Sequence, residues 1–148
     1  MKIFVVGSIN MDLVIGAPFM PENGMTITGQ GFFQNPGGKG ANQAVACSKL
    51  GANTYMVGAV GDAFGEDLIK TLNGYAVNTA YVKRLEGVSS GVAVIVVVDH
   101  DNRIILDAGS NALVSHAMID EALSEAEEGD YLICQLEIPQ EEVNRRSE

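Results

Sequence analysis

The stretch Asn35-Pro36-Gly37-Gly38-Lys39-Gly40-Ala41-Asn42-Gln43-Ala44 decides how the rest of the chain is read. Glycine at three of four successive positions leaves the main chain without Cβ cover, so φ > 0 is available and a ligand can approach the backbone closely. The alanine-rich run 41–50 has a helical face, which places this loop at a helix N-terminus whose unpaired N–H groups point outward. Such a site holds a polar or anionic small molecule. Two nucleotide loops are excluded by spacing. A Walker A loop needs Ser or Thr after its lysine and a glycine five positions before Gly38, whereas Gly40 and Phe33 stand there. A dinucleotide fingerprint needs glycine at position 43, which is Gln. A tight turn ahead of a structural helix is the competing reading.

Outward from the loop, the apolar run Ile3-Phe4-Val5-Val6 reads as a strand buried on both faces, the first of a parallel sheet. Ser8, Asn10 and Asp12 follow at its C-terminal end, where open α/β sheets present ligand-binding groups. Leu13-Val14-Ile15 and Met25-Thr26-Ile27-Thr28, joined through Pro18, Pro21 and Gly24, predict antiparallel strands of an inserted small sheet. Beyond the helix at 41–50, Gly51 is the stop and 54–60 is a second buried strand. Asp62 is the expected N-cap of a helix over 64–73, whose Phe64, Leu68, Ile69 and Leu72 share one face.

Tyr81-Val82 is a brief extended piece, and 92–98 with 103–106 predicts a β-hairpin turning at 99–102. Ser115 is the expected cap of a helix over 116–126, followed by a strand over 131–136. Glu137 emerges directly after that strand, and Pro139 opens a further helix. His100 at the hairpin tip and His116 in a first helical turn receive no catalytic role. The predicted order describes a doubly wound α/β body carrying a small antiparallel appendage, without internal repeats.

Composition narrows the function classes. With 148 residues, 47% of them hydrophobic, the chain can build one core or part of a larger one. A net charge of -10 argues against binding polyphosphate backbones or anionic membranes, which want clustered Lys and Arg. Ten acids fall within 120–148 against Arg145 and Arg146, as expected of solvated helix faces. Cys47 and Cys134 both sit in runs read as buried and lack paired spacing, pointing to a reducing compartment and no metal site. The apolar start is too short for a signal peptide, and the longest apolar run is far below the ~20 residues of a membrane helix. The expected location is cytoplasmic.

Taken together, Gly7-Ser8-Ile9-Asn10-Met11-Asp12, the glycine run continued through Val45-Ala46, Gly58 to Gly61 with Asp62, Ser90-Gly91-Val92-Ala93 and Gln135-Leu136-Glu137 resemble the N-terminal half of the ribokinase (PfkB) family of carbohydrate kinases. The resemblance covers nearly the whole chain in consistent order, and the glycine run with Gly51 and Gly61 downstream is its most specific part. It implies a Rossmann-like three-layer α/β sandwich, of which residues 1–148 are the N-terminal part. The central sheet would be mostly parallel, and segments near 11–34 and 90–107 would form a small antiparallel β lid. It implies a sugar site in which Asn10 and Asp12 bond hydroxyls and Gly38, Lys39 and Asn42 line the pocket. Ala93 and Ile95 would contact the sugar from the lid, and Glu137 would close the far side.

The implied reaction is transfer of the ATP γ-phosphate, with Mg²⁺, to a pentose hydroxyl, ribose first; a monovalent-cation requirement is left open. The implied assembly is a homodimer through the lids, since the hairpin is apolar on both faces. The resemblance also implies that the catalytic Asp base and the nucleotide pocket belong to a C-terminal half. No Gly-Ala-Gly-Asp occurs here, so no catalytic residue and no metal ligand is assigned, and the chain by itself is expected to be inactive. Its final run, 141–148, has no glycine cap and reads as a helix interrupted in a longer protein. A fructokinase-like or nucleoside kinase, or a noncatalytic sugar-binding module lacking the nucleotide half, remain the alternatives.

Overall fold

The computed structural model describes residues 1–144; the helix expected from the sequence over 141–148 extends beyond the described residues. In chain order the elements are β1 (Lys2–Val6), β2 (Asn10–Gly16), β3 (Gln30–Gly37), α1 (Lys39–Lys49), β4 (Asn53–Val60), α2 (Gly65–Gly74) and β5 (Asn78–Arg84). There follow β6 (Gly91–Val98), β7 (Asp101–Asp107), a 3-10 turn (Gly109–Leu113), α3 (His116–Leu123), β8 (Tyr131–Cys134) and α4 (Gln140–Asn144).

The apolar strands build one parallel sheet in the order β5-β4-β1-β8. Because side chains alternate along a strand, neighbouring residues serve opposite cores. Val5, Met56 and Val60 meet Ala44 of α1 and Leu68 and Leu72 of α2 on one face. Phe4, Val6, Val57 and Ala59 meet Ile119 and Ala122 of α3 with Ile138 on the other. The result is a three-layer α/β sandwich, as the resemblance implies.

A second sheet, ordered β3-β2-β6-β7, stands apart as the lid. It is mixed where an antiparallel one was expected: β2 pairs antiparallel with β3, and β6 with β7, but β2 and β6 run parallel. Both β2 and β6 leave the C-terminal edge of the main sheet in the same direction, which dictates that pairing. Residues 25–28 are not a strand, and the partner of β2 is instead Gln30–Gly37. Asn35, Pro36 and Gly37, read from sequence as loop, pair with Asp12, Met11 and Asn10. Pro36 is tolerated because β3 is an edge strand with a free side.

Other boundaries move for local reasons. Helix α1 begins at Lys39, two residues earlier than expected. Asp62 does not cap α2: Phe64 precedes the helix at φ 63, and Asp62 Oδ2 instead accepts from the Gly87 amide at 2.8 Å. Ser115 is extended before α3 but makes no side-chain cap hydrogen bond, and α3 ends at Leu123. The hairpin turns through two residues only, Asp99 and His100, both at positive φ. Strand β8 ends at Cys134, which is exposed because, among the described residues, β8 pairs with β1 alone; Cys47 is half-buried. The expectation of two core thiols is therefore wrong for Cys134.

Candidate functional site

At the end of β1 the chain turns through Gly7-Ser8-Ile9 into β2, and the glycine run crosses directly against that turn. A Cβ on Gly40 would lie 2.6 Å from the Gly7 carbonyl carbon and the Ser8 nitrogen. A Cβ on Gly38, at φ 93, would lie 2.7 Å from Ser8 O and Asn10 N. These glycines therefore let two backbone segments touch, and Gly38 at the same time lines the hollow beside them. Two of the expected outward-pointing amides are also in use. Gly40 N donates to Ser8 Oγ at 3.5 Å and Ala41 N to Ser8 O at 3.0 Å.

Packed in this way, the turn, α1 and the lid enclose a concavity of about 350 Å³ lined by Asn10, Asp12, Gly38, Lys39, Asn42, Ala93, Ile95, Ile104, Leu106 and Glu137. All eight residues singled out from the sequence stand around it, together with Ile104 and Leu106, which were not. Strand register explains the lid's share. Asp12 is opposite Ala93, Ala93 opposite Leu106 and Ile95 opposite Ile104, so these side chains face one way. Val94 and Ile105 pair on the opposite face. A second hollow, of about 270 Å³ between α1 and α2, has Ile9, Val45, Leu68 and Leu72 in its walls and no carboxylate. The first combines carboxylates, an ammonium and amides under an apolar cover, the make-up of a small polar ligand's site.

Its electrostatics centre on Glu137. Oε1 accepts from Lys39 Nζ at 2.6 Å, and Oε2 accepts from Ser8 Oγ at 3.0 Å. Burial pushes the Glu137 carboxyl up, but the hydrogen bonds from Lys39 and Ser8 and the Lys39 charge outweigh it and hold it below its ordinary value. Asp12 moves the other way: burial first, then the Glu137 charge, raise its carboxyl above the usual range.

Of the supporting residues, Ser8 was placed at the ligand-binding edge from the sequence but given no partner, while Gln135 and Asn111 escaped the sequence reading of the site. Ser8 is fully buried and joins Glu137 to Gln135, whose Oε1 accepts from Ser8 N at 3.3 Å. Asn111, 2% exposed, lies in the 3-10 turn and bonds Ile9 and Asn10. The available signal was a polar Gly109-Ser110-Asn111 run with neither helical nor strand periodicity, the type of segment that carries function. Among the described residues no group of three or more His, Cys, Asp or Glu is placed to hold a metal ion, so no Mg²⁺ ligand is assigned here. Among them, too, no helix is long and apolar enough to cross a membrane.

Residues 1–146 match the pfkB family of carbohydrate kinases. The chain belongs to this family. It is similar to a ribokinase of Bacillus subtilis, 41% identical over 144 residues, which cover 97% of this chain and 49% of that protein. It is similar also to a deoxyribokinase of Salmonella typhimurium, 38% identical, covering 97% of this chain and 47% of that protein. Among solved structures, the Arabidopsis thaliana ribokinase complexed with ribose and ATP superposes with a TM-score of 0.81 at 30% identity, over 97% of this chain and 47% of that one. The chain thus spans about half the length of the pfkB-family relatives it matches.

Proposed function

We propose that the protein to which this chain belongs is a ribokinase, transferring the γ-phosphate of ATP to a hydroxyl of D-ribose, and that the concavity under the lid holds the sugar. The observation that carries this reading is the convergence of Asn10, Asp12, Lys39, Asn42 and Glu137 on one hollow. Carboxylates accept from sugar hydroxyls, the ammonium and amides donate to them, and Ala93, Ile95, Ile104 and Leu106 give the hollow an apolar wall. Covering one such group with a sugar that leaves it unpaired costs about 1–3 kcal/mol, which is how the wrong sugar isomer is rejected. ATP with Mg²⁺ would supply the phosphoryl group and its charge neutralisation; no described residue is assigned to either. A cytoplasmic homodimer, associated through the outward lid face of Val94 and Ile105, completes the proposal.

The test is ATP-dependent phosphorylation by the full-length protein of ribose, 2-deoxyribose, fructose and adenosine. The expected result is the highest kcat/KM with ribose. Higher kcat/KM for fructose or adenosine would overturn the ribose assignment. A second reading, 2-deoxyribose as acceptor, is favoured by the likeness to the Salmonella deoxyribokinase, and the same panel separates it. Ribose binding without any phosphate transfer would instead support the noncatalytic sugar-binding module.

A further inference from the structure

Asn10 is 5% exposed and Asn111 2% exposed, and their side chains meet. The orientation of both amides follows from backbone groups whose roles are not open to choice. The Ile9 N–H can only donate, and it reaches Asn111 Oδ1 at 3.0 Å. The other end of that amide, Nδ2, therefore faces Ile9 O, which can only accept, at 3.1 Å. The same Nδ2 donates to Asn10 Oδ1 at 2.7 Å. Room for this contact exists because residue 91 is glycine: a Cβ there would lie 2.2 Å from both Asn10 Oδ1 and Asn111 Nδ2. Strand β6 thus passes Asn10 at a position where any other residue would displace the pair.

We propose that Asn111 is a positioning residue that locks the Asn10 amide, so that Asn10 presents only its Nδ2 donor to the concavity. The inference rests on the reading of that concavity as a polyol site. Asn10 and Asp12 are two apart on β2, share a face, and both line the hollow. With Asn10 held as a donor and Asp12 an acceptor when ionised, the strand reads a sugar in one sense: the hydroxyl at Asn10 accepts, and the hydroxyl at Asp12 donates. A free Asn could turn its amide over and meet either kind of group, so the lock converts a permissive contact into a selective one. The role belongs to specificity and not to the phosphoryl step.

The experiment uses the full-length protein as native sequence, N111D, N10A and the N10A/N111D double variant, with ribose dissociation constants from calorimetry and thermal midpoints as folding controls. The N111D carboxylate still accepts from Ile9 N–H but sets an oxygen against both Ile9 O and Asn10 Oδ1. The Asn10 amide can turn over to donate to it, whereas Ile9 O loses its donor, a loss common to both backgrounds. The expected result is at least a tenfold weaker ribose affinity for N111D in the native background and less than a twofold change when Asn10 is already Ala. Equal loss in both backgrounds is what a merely structural Asn111 would produce, and it would overturn the proposal. A second measurement needs neither variant nor sugar: in the ¹⁵N-labelled ligand-free protein, the Asn111 side-chain NH₂ should be protected from exchange and that of Asn10 open to it. The reverse pattern would also overturn the lock. Failure of the native protein to bind ribose, with the protected Asn111 amide present, would refute the sugar reading and leave the lock standing as a device for another polar ligand.

Discussion

Lys39 Nζ and Glu137 Oε1 lie 2.6 Å apart and tie the first turn of α1 to the segment after β8, 98 residues away in sequence. The bond spans the rim of the concavity. Glu137 is the more enclosed partner, its side chain 27% exposed against 71% for Lys39, and Ser8 from the β1 turn holds its second oxygen. Three separate parts of the chain therefore converge on one carboxylate.

Glu137→Gln removes the charge from that junction. The folded protein holds the Glu137 carboxyl below its ordinary value, so its contribution to stability is present above about pH 4.3 and lost as pH falls below it. Thermal unfolding of native protein and variant from pH 7 to pH 3 should show a gap worth up to about 1 kcal/mol at neutral pH, given the exposure of Lys39. The gap should close on the acid side; a gap that widens there would contradict the assignment.

Asp12→Asn tests the opposite sign. Asp12 is raised by burial and by Glu137, so the folded state holds its proton more tightly than the unfolded chain. Stability from this group falls as pH rises from its ordinary value through the raised one, and the ionised form is a standing cost above that. The variant should melt at the same or a higher temperature at pH 7. It should bind ribose about 5- to 150-fold more weakly, the loss of one buried hydrogen bond at about 1–3 kcal/mol.

Gly40→Ala separates close approach from flexibility. Its Cβ would meet main-chain atoms of Gly7 and Ser8 at 2.6 Å, and neither is the movable end of a side chain. The expected loss is about 1–3 kcal/mol or more, with ribose affinity falling alongside. Gly74→Ala at the end of α2 meets nothing within 4 Å and should be neutral or stabilising by about 0.4–1 kcal/mol. Chemical denaturation of both variants decides; equal costs would mean that the contact between the glycine run and the β1 turn is not what these glycines serve.

Ile105→Ser and Ile104→Ser divide the two faces of the lid. Ile105 is 75% exposed and points away from the concavity, whereas Ile104 lines it. In sedimentation of the full-length protein, Ile105→Ser is expected to shift a dimer toward monomer with ribose affinity changed less than twofold. Ile104→Ser is expected to weaken ribose binding and leave the mass unchanged. The converse pattern would reverse the assignment of faces.

Much of the body was legible because local physics decides it. Phe4-Val5-Val6 and Met56-Val57 are apolar without a break, which only a strand covered on both faces can use, and the structure puts them in the middle of the parallel sheet. The hairpin of β6 and β7 was legible because Val and Ile fill the first arm, Ile104-Ile105-Leu106 stand at the centre of the second, and polar residues mark the turn between them. Strand β3 was not. Its Pro36-Gly37 carries the composition of a turn, and only an edge position beside β2 makes that composition acceptable in a strand. Asp62 had the chemistry of a cap, but its carboxylate is drawn off by the Gly87 amide, a partner that chain order does not announce.

Periodicity and turn residues were sufficient for the α/β body and for an inserted small sheet, because each depends on neighbours along the chain. The three-layer sandwich, the lid and the roll of side chains around the concavity came from the resemblance to the ribokinase family. The sense of the contacts could not be read that way. Whether the glycines serve a ligand or a backbone, whether β2 and β6 run parallel, which end of the Asn10 amide faces inward and why Asp12 and Glu137 titrate in opposite directions all depend on groups about 20 to 130 positions apart. Those distances close only when the sheet, α1 and the 3-10 turn pack together, and at 2.6–3.1 Å the direction of each donor then settles what the site presents.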